Sequence, residues 1–426
     1  MSTSAPPAST ELRIHAIAAG GDGVGRDESG RVVFVPLTAP GDRVRVEIIA
    51  SKPRWARGEL REVLVASETR RTAPCPLFGR CGGCRLQHLP EAVQVEAKQT
   101  IVQDALRRIG GIDCVVAPTV GAGSSLEYRN RITLTARAPD IGYRELGDPG
   151  RIVPTSDCLL AEAPVRAAVE SLSTTADLPT GGESRVTIRA SWRGRVALVV
   201  EGGTAPGAPA VLAERLEGLE SYWWRDAEGR DHLLFGAPTF RESWQGIEFD
   251  LSPRVFLQCN RQVSAAMDAW LDERVGSPAG RRFVDLYAGV GARAIRWAQL
   301  GADVVACEVD AAACEACREA ASRAGSRVEV VCGRAEDHPE VFDGADVVIV
   351  NPPRAGLTEP VRAALAASNV RQLAYVSCDP ATLARDLKAM ASTFDVREVQ
   401  PFDAFPQTAH VETIAWLERA RPESSR

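Results

Sequence analysis

The rhythm of apolar and polar residues changes twice along the chain. From residue 11 to 66, short runs alternate apolar and polar positions: LRIHAI from Leu12, RVVFV from Arg31, DRVRVEII from Asp42 and GELREVLV from Gly58. Glycine-rich turns such as AGGDGVG, from Ala19 to Gly25, separate them. Such alternation predicts half-buried strands, and short strands between glycine turns predict a small β-barrel. Residues 90–109 have the spacing of an amphipathic helix stopped by Gly110 and Gly111. From residue 128 to 240 strand-like runs return, at Arg129, Arg185, Arg195 and His232, between Gly- and Pro-rich breaks. Beyond 255 the pattern alternates helix with strand. Apolar strands are expected at 282–286, 303–307, 328–332, 346–350 and 372–377, with helices at 292–300, 311–324 and 359–367. This is βαβ alternation, and it predicts a parallel sheet with helices on both faces. The expected division is 9–67 for the barrel, 68–240 for a mostly β central region and 241–420 for the α/β domain.

Composition adds little to that division. A chain of 426 residues is too long for one typical domain, and 45% hydrophobic residues supply ample core. The net charge of -6 does not by itself point to nucleic acid. Residues 1–110 nevertheless sum to about +4, so a basic N-terminal surface is expected. Lysine appears only at Lys52, Lys98 and Lys388, and the other cations are arginine. Arginine suits phosphate and base recognition, although a GC-rich genome explains the bias as simply. No stretch is apolar enough for a bilayer span. The first ten residues read as a polar tail and not a signal peptide, as does the end from Arg421 to Arg426. A cytoplasmic protein is expected, without membrane contact, with its eleven cysteines as thiols or metal ligands.

The candidate chemistry falls at expected strand ends, where open α/β sheets bind ligands. The run DLYAGVG, from Asp285 to Gly291, is a strand entering a glycine turn, and Gly289 and Gly291 allow close backbone approach. Glu308 ends the next strand, where an acid can hold two ribose hydroxyls. The turn lacks G-x-G-x-x-G spacing, which favours S-adenosylmethionine over a dinucleotide. Asn351 opens an N-P-P-R loop that two prolines stiffen, suited to positioning a cofactor or a base edge. Cys378 follows the apolar run ending at Ser377. A thiolate there is a nucleophile for the electron-poor C6 of a pyrimidine, and Glu412, in HVE from His410, is a base for the resulting adduct. Each also has a plain reading, as a buried structural cysteine and an ordinary strand carboxylate.

Cys75, Cys81 and Cys84 lie within ten residues of one another. Three cysteines with a remote fourth suit an iron–sulfur cluster better than zinc, and they lack the spacing of radical S-adenosylmethionine enzymes. Cys158 is the first choice for the fourth ligand and Cys114 the alternative. Cys314 and Cys317, on an Ala-rich helix, read as packing residues, and Cys259, Cys307 and Cys332 also read as structural.

Together these residues resemble the RNA (uracil-5-)-methyltransferase family, whose members make 5-methyluridine in tRNA and 23S rRNA. The resemblance spans almost the whole chain. The barrel is similar to a TRAM domain, an RNA-binding module. CPLFGRCGGCRLQH, from Cys75 to His88, resembles the family's 4Fe–4S motif, and YRNR from Tyr128 and FLQCN from Phe256 also match. The resemblance implies a Rossmann-like S-adenosylmethionine-dependent domain behind an OB-like barrel, with the 90–110 helix packed on it, and a monomer acting on RNA. It implies that Gln258, Tyr287, Glu308 and Asn351 contact S-adenosylmethionine or the base, beside the Asp285 turn. It further implies that Cys378 is the nucleophile, Glu412 the proton acceptor and Cys158 the remote cluster ligand. Many members have Asp where this chain has Asn351, and a subset acting on 23S rRNA has N-P-P-R, which places 23S rRNA ahead of tRNA. Ala288 stands where cysteine is common. The rival readings are a methyltransferase of an exocyclic amine, against which Arg354 counts because an aromatic residue is usual there, and a non-catalytic RNA-binding protein.

Overall fold

The computed structural model describes residues 9–174, 178 and 181–420. Residues 1–8 and 421–426, expected as polar tails, lie outside the described residues. Ser9 and Thr10, assigned by sequence to the N-terminal tail, instead belong to the first strand. They pair with Val46 and Glu47 because Leu12 and Ile14 anchor the segment in the core.

The N-terminal sheet contains β1 (Ser9–Arg13), β2 (Ala16–Ile17), β3 (Gly23–Arg26), β4 (Val32–Val35), β5 (Arg43–Ser51) and β6 (Trp55–Val65), in the order β1-β5-β6-β4-β3-β2. Alternate residues turn inward, so Val44 and Val46 of β5 meet Leu12, Val33 and Val35 in one small core.

A cysteine-bearing stretch of turns leads to α1 (Glu91–Ala105), which widens into a π turn at Leu106–Gly110 and stops at Gly111 with φ 66°. Its Val102 and Leu106 are fully buried in the core of the C-terminal sheet. The central sheet is formed by β7 (Arg131–Arg137), β8 (Asp140–Arg144), β9 (Ile152–Pro154), β10 (Ser184–Ala190), β11 (Val196–Gly202), β12 (Leu219–Arg225) and β13 (Asp231–Gly236), in the order β13-β12-β11-β10-β7-β8-β9. Helix α2 (Ala163–Ser173) covers it, and α3 (Pro209–Arg215) links β11 to β12. A hairpin, β14 (Phe240–Trp244) and β15 (Ile247–Leu251), follows. It was not foreseen from the sequence.

After α4 (Arg261–Val275) comes the α/β domain: β16 (Arg282–Leu286), α5 (Ala292–Gln299), β17 (Asp303–Glu308), α6 (Ala311–Arg323), β18 (Val328–Cys332), β19 (Val347–Val350), α7 (Glu359–Ala367), β20 (Gln372–Ser377), α8 (Pro380–Ala389), β21 (Phe394–Phe402) and β22 (Glu412–Arg419). The order is β18-β17-β16-β19-β20-β22-β21, and β22 runs antiparallel to both its neighbours. Both faces of the sheet are covered. In β19, Val347 and Ile349 enter the core on one face while Val348 and Val350 enter the core on the other. Strand order reverses between β16 and β19, which opens a crevice at their carboxyl ends.

Candidate active site

The turn after β16 is strained where it needs to be. Tyr287, Gly289 and Gly291 all have left-handed backbone, at φ 61°, 58° and 70°. Glycine bears this at no steric cost. At Gly291 a Cβ would lie only 2.2 Å from the Cys317 sulfur, so α5 and α6 could not pack as they do with any larger residue. Gly289 donates its N–H to Glu308 Oε2 at 2.8 Å, while Val309 and Asp310 donate to Oε1 at 2.8 and 2.9 Å. The Glu308 carboxylate is thereby fixed at the end of β17 with one lone pair, on Oε2, to spare.

Asp285, Tyr287, Gly289, Asn351 and Gln258 line one narrow cleft at the strand reversal. Asp285 is 1% exposed, and its Oδ1 has no hydrogen-bond partner among the described residues. Arg293 Nη1 stands 3.6 Å from it. Burial pushes the Asp285 carboxyl up to about 6, against the pull of Arg293. A buried acceptor without a donor, on the wall of a cleft, is suited to a cationic or N–H-bearing ligand. Gln258 is delivered by Asn130, whose Nδ2 donates to the Gln258 oxygen at 3.1 Å and whose N–H donates to Cys259 O at 3.0 Å. The YRNR and FLQCN segments are therefore bound to each other.

Cys378 and Glu412 meet at the same end of the sheet. Ser377 of β20 faces Thr413 of β22 at the end of their antiparallel register; Cys378 follows the first and Glu412 precedes the second, close enough for the Glu412 charge to act on the thiol. Glu412 is 4% exposed, and Cys378 is half-buried. Burial pushes the Glu412 carboxyl up to about 7, with Arg354 opposing. Burial also raises the Cys378 thiol and the Glu412 charge raises it further, whereas Arg354, which hydrogen-bonds the sulfur, pulls it down. The sequence marks Arg354 as part of the N-P-P-R run and as counting against amine methylation, but not as a partner of the thiol. Its place three residues after Asn351, in the loop facing the thiol, was the available signal. His410 is exposed and stands edge-on to Phe405, with ring centroids 5.9 Å apart.

A second set of thiols converges near the start of the central sheet. Cys75, Cys81 and Cys84 are all raised mainly by burial, Cys81 to about 11 and Cys84 to about 12, and the charge of Cys158 raises each further. Gly83 donates its N–H to the Cys81 sulfur at 3.4 Å, and the Tyr143 hydroxyl lies 3.5 Å from Cys158 Sγ. Cys114 is elsewhere, packed on the core of the α/β domain. Among the described residues no group of three or more Cys, His, Asp or Glu is arranged to hold a metal ion, so the four thiols gather without a closed site. Cys314 and Cys317 are buried in α6, and Cys332 is exposed.

Among the described residues no helix is long and apolar enough to cross a membrane. Residues 10–60 match the TRAM domain, 283–375 a methyltransferase domain and 340–420 the tRNA (uracil-5-)-methyltransferase family. An uncharacterized RNA methyltransferase of Thermosynechococcus vestitus is 32% identical over 96% of this chain and 98% of its own. One from Listeria innocua is 31% identical over 96% and 97%. The fold is that of Pyrococcus abyssi tRNA (uracil-54, C5)-methyltransferase, solved in complex with S-adenosyl-L-homocysteine, with TM-score 0.76, 24% identity and coverage of 96% and 100%. The barrel in front, the Rossmann-like methyltransferase domain behind and full-length similarity to these RNA methyltransferases establish that the chain belongs to the RNA (uracil-5-)-methyltransferase family.

Proposed function

We propose that the protein methylates C5 of a uridine in RNA, with S-adenosylmethionine as methyl donor and a covalent bond between Cys378 and C6 of the base. The observation that carries this is the proximity of Cys378 and Glu412, with Arg354 acting on both, at the sheet end that forms the Asp285 cleft. A thiol and a carboxyl so placed suit attack at one carbon and proton removal at its neighbour. Methylation of an exocyclic amine needs no such thiol.

S-adenosylmethionine supplies an electrophilic methyl group on a sulfonium. The cleft suits it: Asp285 offers a buried acceptor with no hydrogen-bond donor among the described residues to a cationic end, and Glu308, at the end of β17, keeps one lone pair for a ribose hydroxyl. The side chains of Gln258 and Asn351, with Tyr287 and the glycine turn, complete the wall. The target uracil leaves its stack at a cost of roughly a few kcal/mol. Arg354 favours the Cys378 thiolate, which adds to C6. Electron density moves to C5, which takes the methyl group. Glu412 accepts the C5 proton, and the electron pair of that bond restores the ring double bond and expels the Cys378 sulfur.

Residues 9–67 and 68–240 are read as the parts that hold RNA, and 241–420 as the transfer domain. The solved relative acts on uracil-54 of tRNA. The N-P-P-R loop at Asn351 supports 23S rRNA ahead of tRNA for this chain, with the cytoplasm as its place of action. The spacing of Cys75, Cys81 and Cys84, with Cys158 as a remote fourth, is what supports a 4Fe–4S cluster with a structural or RNA-positioning role and no part in methyl transfer; as folded, the four thiols form no closed metal site among the described residues. Anaerobically purified protein should carry about four irons per chain. Iron should be lost in Cys158→Ser and kept in Cys114→Ser, and stoichiometric zinc would contradict the assignment.

Nucleoside mass spectrometry of tRNA and 23S rRNA from a deletion strain tests the function. One 5-methyluridine should disappear and return with the wild-type gene. Unchanged 5-methyluridine in both RNAs would rule the reading out.

A further inference from the structure

The loop 403–411, between β21 and β22, ends at Glu412, and remote parts of the chain hold its peptide oxygens one after another. Asn260 Nδ2 donates to Ala404 O at 3.3 Å, Lys98 Nζ to Phe405 O at 3.0 Å and the Tyr128 hydroxyl to Pro406 O at 3.1 Å. Gln407 O accepts two bonds, from the N–H groups of Arg85 and Leu86, at 3.0 Å each. Those two residues directly follow Cys84.

Gln407 is fully buried and has left-handed backbone, φ 68°. Its N–H donates to Gln94 Oε1 at 2.9 Å, and Gln94 Nε2 returns a bond to Gln407 Oε1 at 3.0 Å. The same Nε2 reaches Leu89 O at 2.8 Å. Arg71 Nη2 adds a further donor to Gln407 Oε1 at 3.1 Å. One residue thus ties the cysteine loop and α1 to the segment that delivers Glu412. A buried polar network with its partners satisfied holds a single arrangement of the elements it joins.

We infer that Gln407 is a positioning residue for Glu412, and that the cysteine loop bears on the reaction through it, as a strut fixing the carboxylate against the C5 hydrogen. This rests on the reading of Glu412 as proton acceptor. The connecting turn is stiff: the Thr408 hydroxyl donates to Phe405 O at 2.8 Å and accepts the His410 N–H at 3.3 Å. Movement at Gln407 therefore reaches Glu412. Cys378 follows β20, which pairs with the parallel strand β19 on the side away from β22, so its addition to the base depends less on the strut. The strut is made of peptide and amide groups, so it acts whatever the thiols hold.

The test is single turnover on bulk RNA from a strain lacking the protein, labelled with tritium at uracil C5, using S-adenosylmethionine with a radiolabelled methyl group. In wild type, methyl transfer and tritium release should keep pace. In Gln94→Ala, tritium release should fall roughly 10- to 100-fold while methyl transfer stays within about twofold, the scale of a small misplacement of a reacting group. A denaturation-stable protein–RNA band carrying the methyl label should accumulate. Should Gln94→Ala fail to fold, Gln407→Gly removes the same side-chain pair and tolerates the left-handed backbone. Parallel loss of both signals, or no loss of either, would overturn the positioning role. Wild type that transfers methyl but releases no tritium would overturn the underlying reading of C5 as the methylated carbon instead.

Discussion

Glu412 and Cys378 flank the Ser377–Thr413 pair that ends the antiparallel register of β20 and β22, and the Glu412 charge acts on the Cys378 thiol. Ser377 and Thr413, directly opposed, have Cβ atoms about 5 Å apart, which keeps the residues next to them at the same sheet end. The two groups that the proposed chemistry uses in succession are thus brought together by sheet register, although Cys378 leads into α8 and Glu412 begins β22. Arg354 acts on both, favouring the charged form of each.

Glu412 makes both activity and stability depend on pH. Its carboxyl is pushed up to about 7, so the base is available above that pH and protonated below it. Release of the C5 proton should slow as pH falls through 7. In stability the sign is opposite. The folded protein holds this proton more tightly than the unfolded chain, so the contribution is fully present below about 4.5 and lost as pH rises through 7, amounting to about 3 kcal/mol. Glu412→Gln should therefore gain thermal stability relative to wild type between pH 5 and pH 8. A difference in melting temperature that does not change with pH would contradict this.

Asp285 should set the affinity for S-adenosylmethionine. Its Oδ1 is buried with no hydrogen-bond donor among the described residues, and its carboxyl is pushed up to about 6. The ionised form suits a cationic ligand, so wild-type affinity should fall as pH drops below 6. Asp285→Asn should weaken binding by about 1–3 kcal/mol at pH 8, the worth of a hydrogen bond to a charged group, and should flatten that pH dependence. Calorimetric titration measures both, and unchanged affinity in the variant would place the cationic end elsewhere.

Lys98 and Asp403 form an ion pair in the interior, with Lys98 fully buried. Burial draws the lysine down and the aspartate up, and each partner's charge opposes the shift. Lys98→Ala leaves a carboxylate buried without its cation and should cost about 3–5 kcal/mol. Lys98→Met with Asp403→Leu should recover most of the loss in a thermal melt. Equal losses in the single and double variants would show that the pair's charges are not what stabilises the site.

The parallel strands were legible because residues buried on both faces leave continuous apolar runs. The expected bounds 282–286 and 372–377 coincide with the buried strands β16 and β20; 328–332 coincides with β18, an edge strand that is only partly buried. The Asp285 turn, Cys378 and Glu412 could be singled out because each sits beside a glycine, proline or apolar run. The burial of Glu412 could not be read, since HVE looks like any strand start. Cys158 and Cys114 were both open as the remote thiol, and only folding brings Cys158 to the other three while Cys114 goes to a core. The hairpin β14–β15 is too short and too mixed in pattern to stand out. Gln94 and Gln407 lie 313 residues apart, and nothing local marks a glutamine as the partner of another so distant.

Covalent attack by Cys378 is the centre of the account, and RNA carrying 5-fluorouridine tests it most directly. Fluorine at C5 cannot leave as a proton would, so the enzyme should stop with its sulfur on C6 and the methyl group on C5. Wild type incubated with this RNA and methyl-labelled S-adenosylmethionine should yield a denaturation-stable protein–RNA band carrying the label. Cys378→Ala should yield none while still binding S-adenosylmethionine. Methylated uridine formed by Cys378→Ala at the wild-type rate on ordinary RNA would contradict the covalent mechanism.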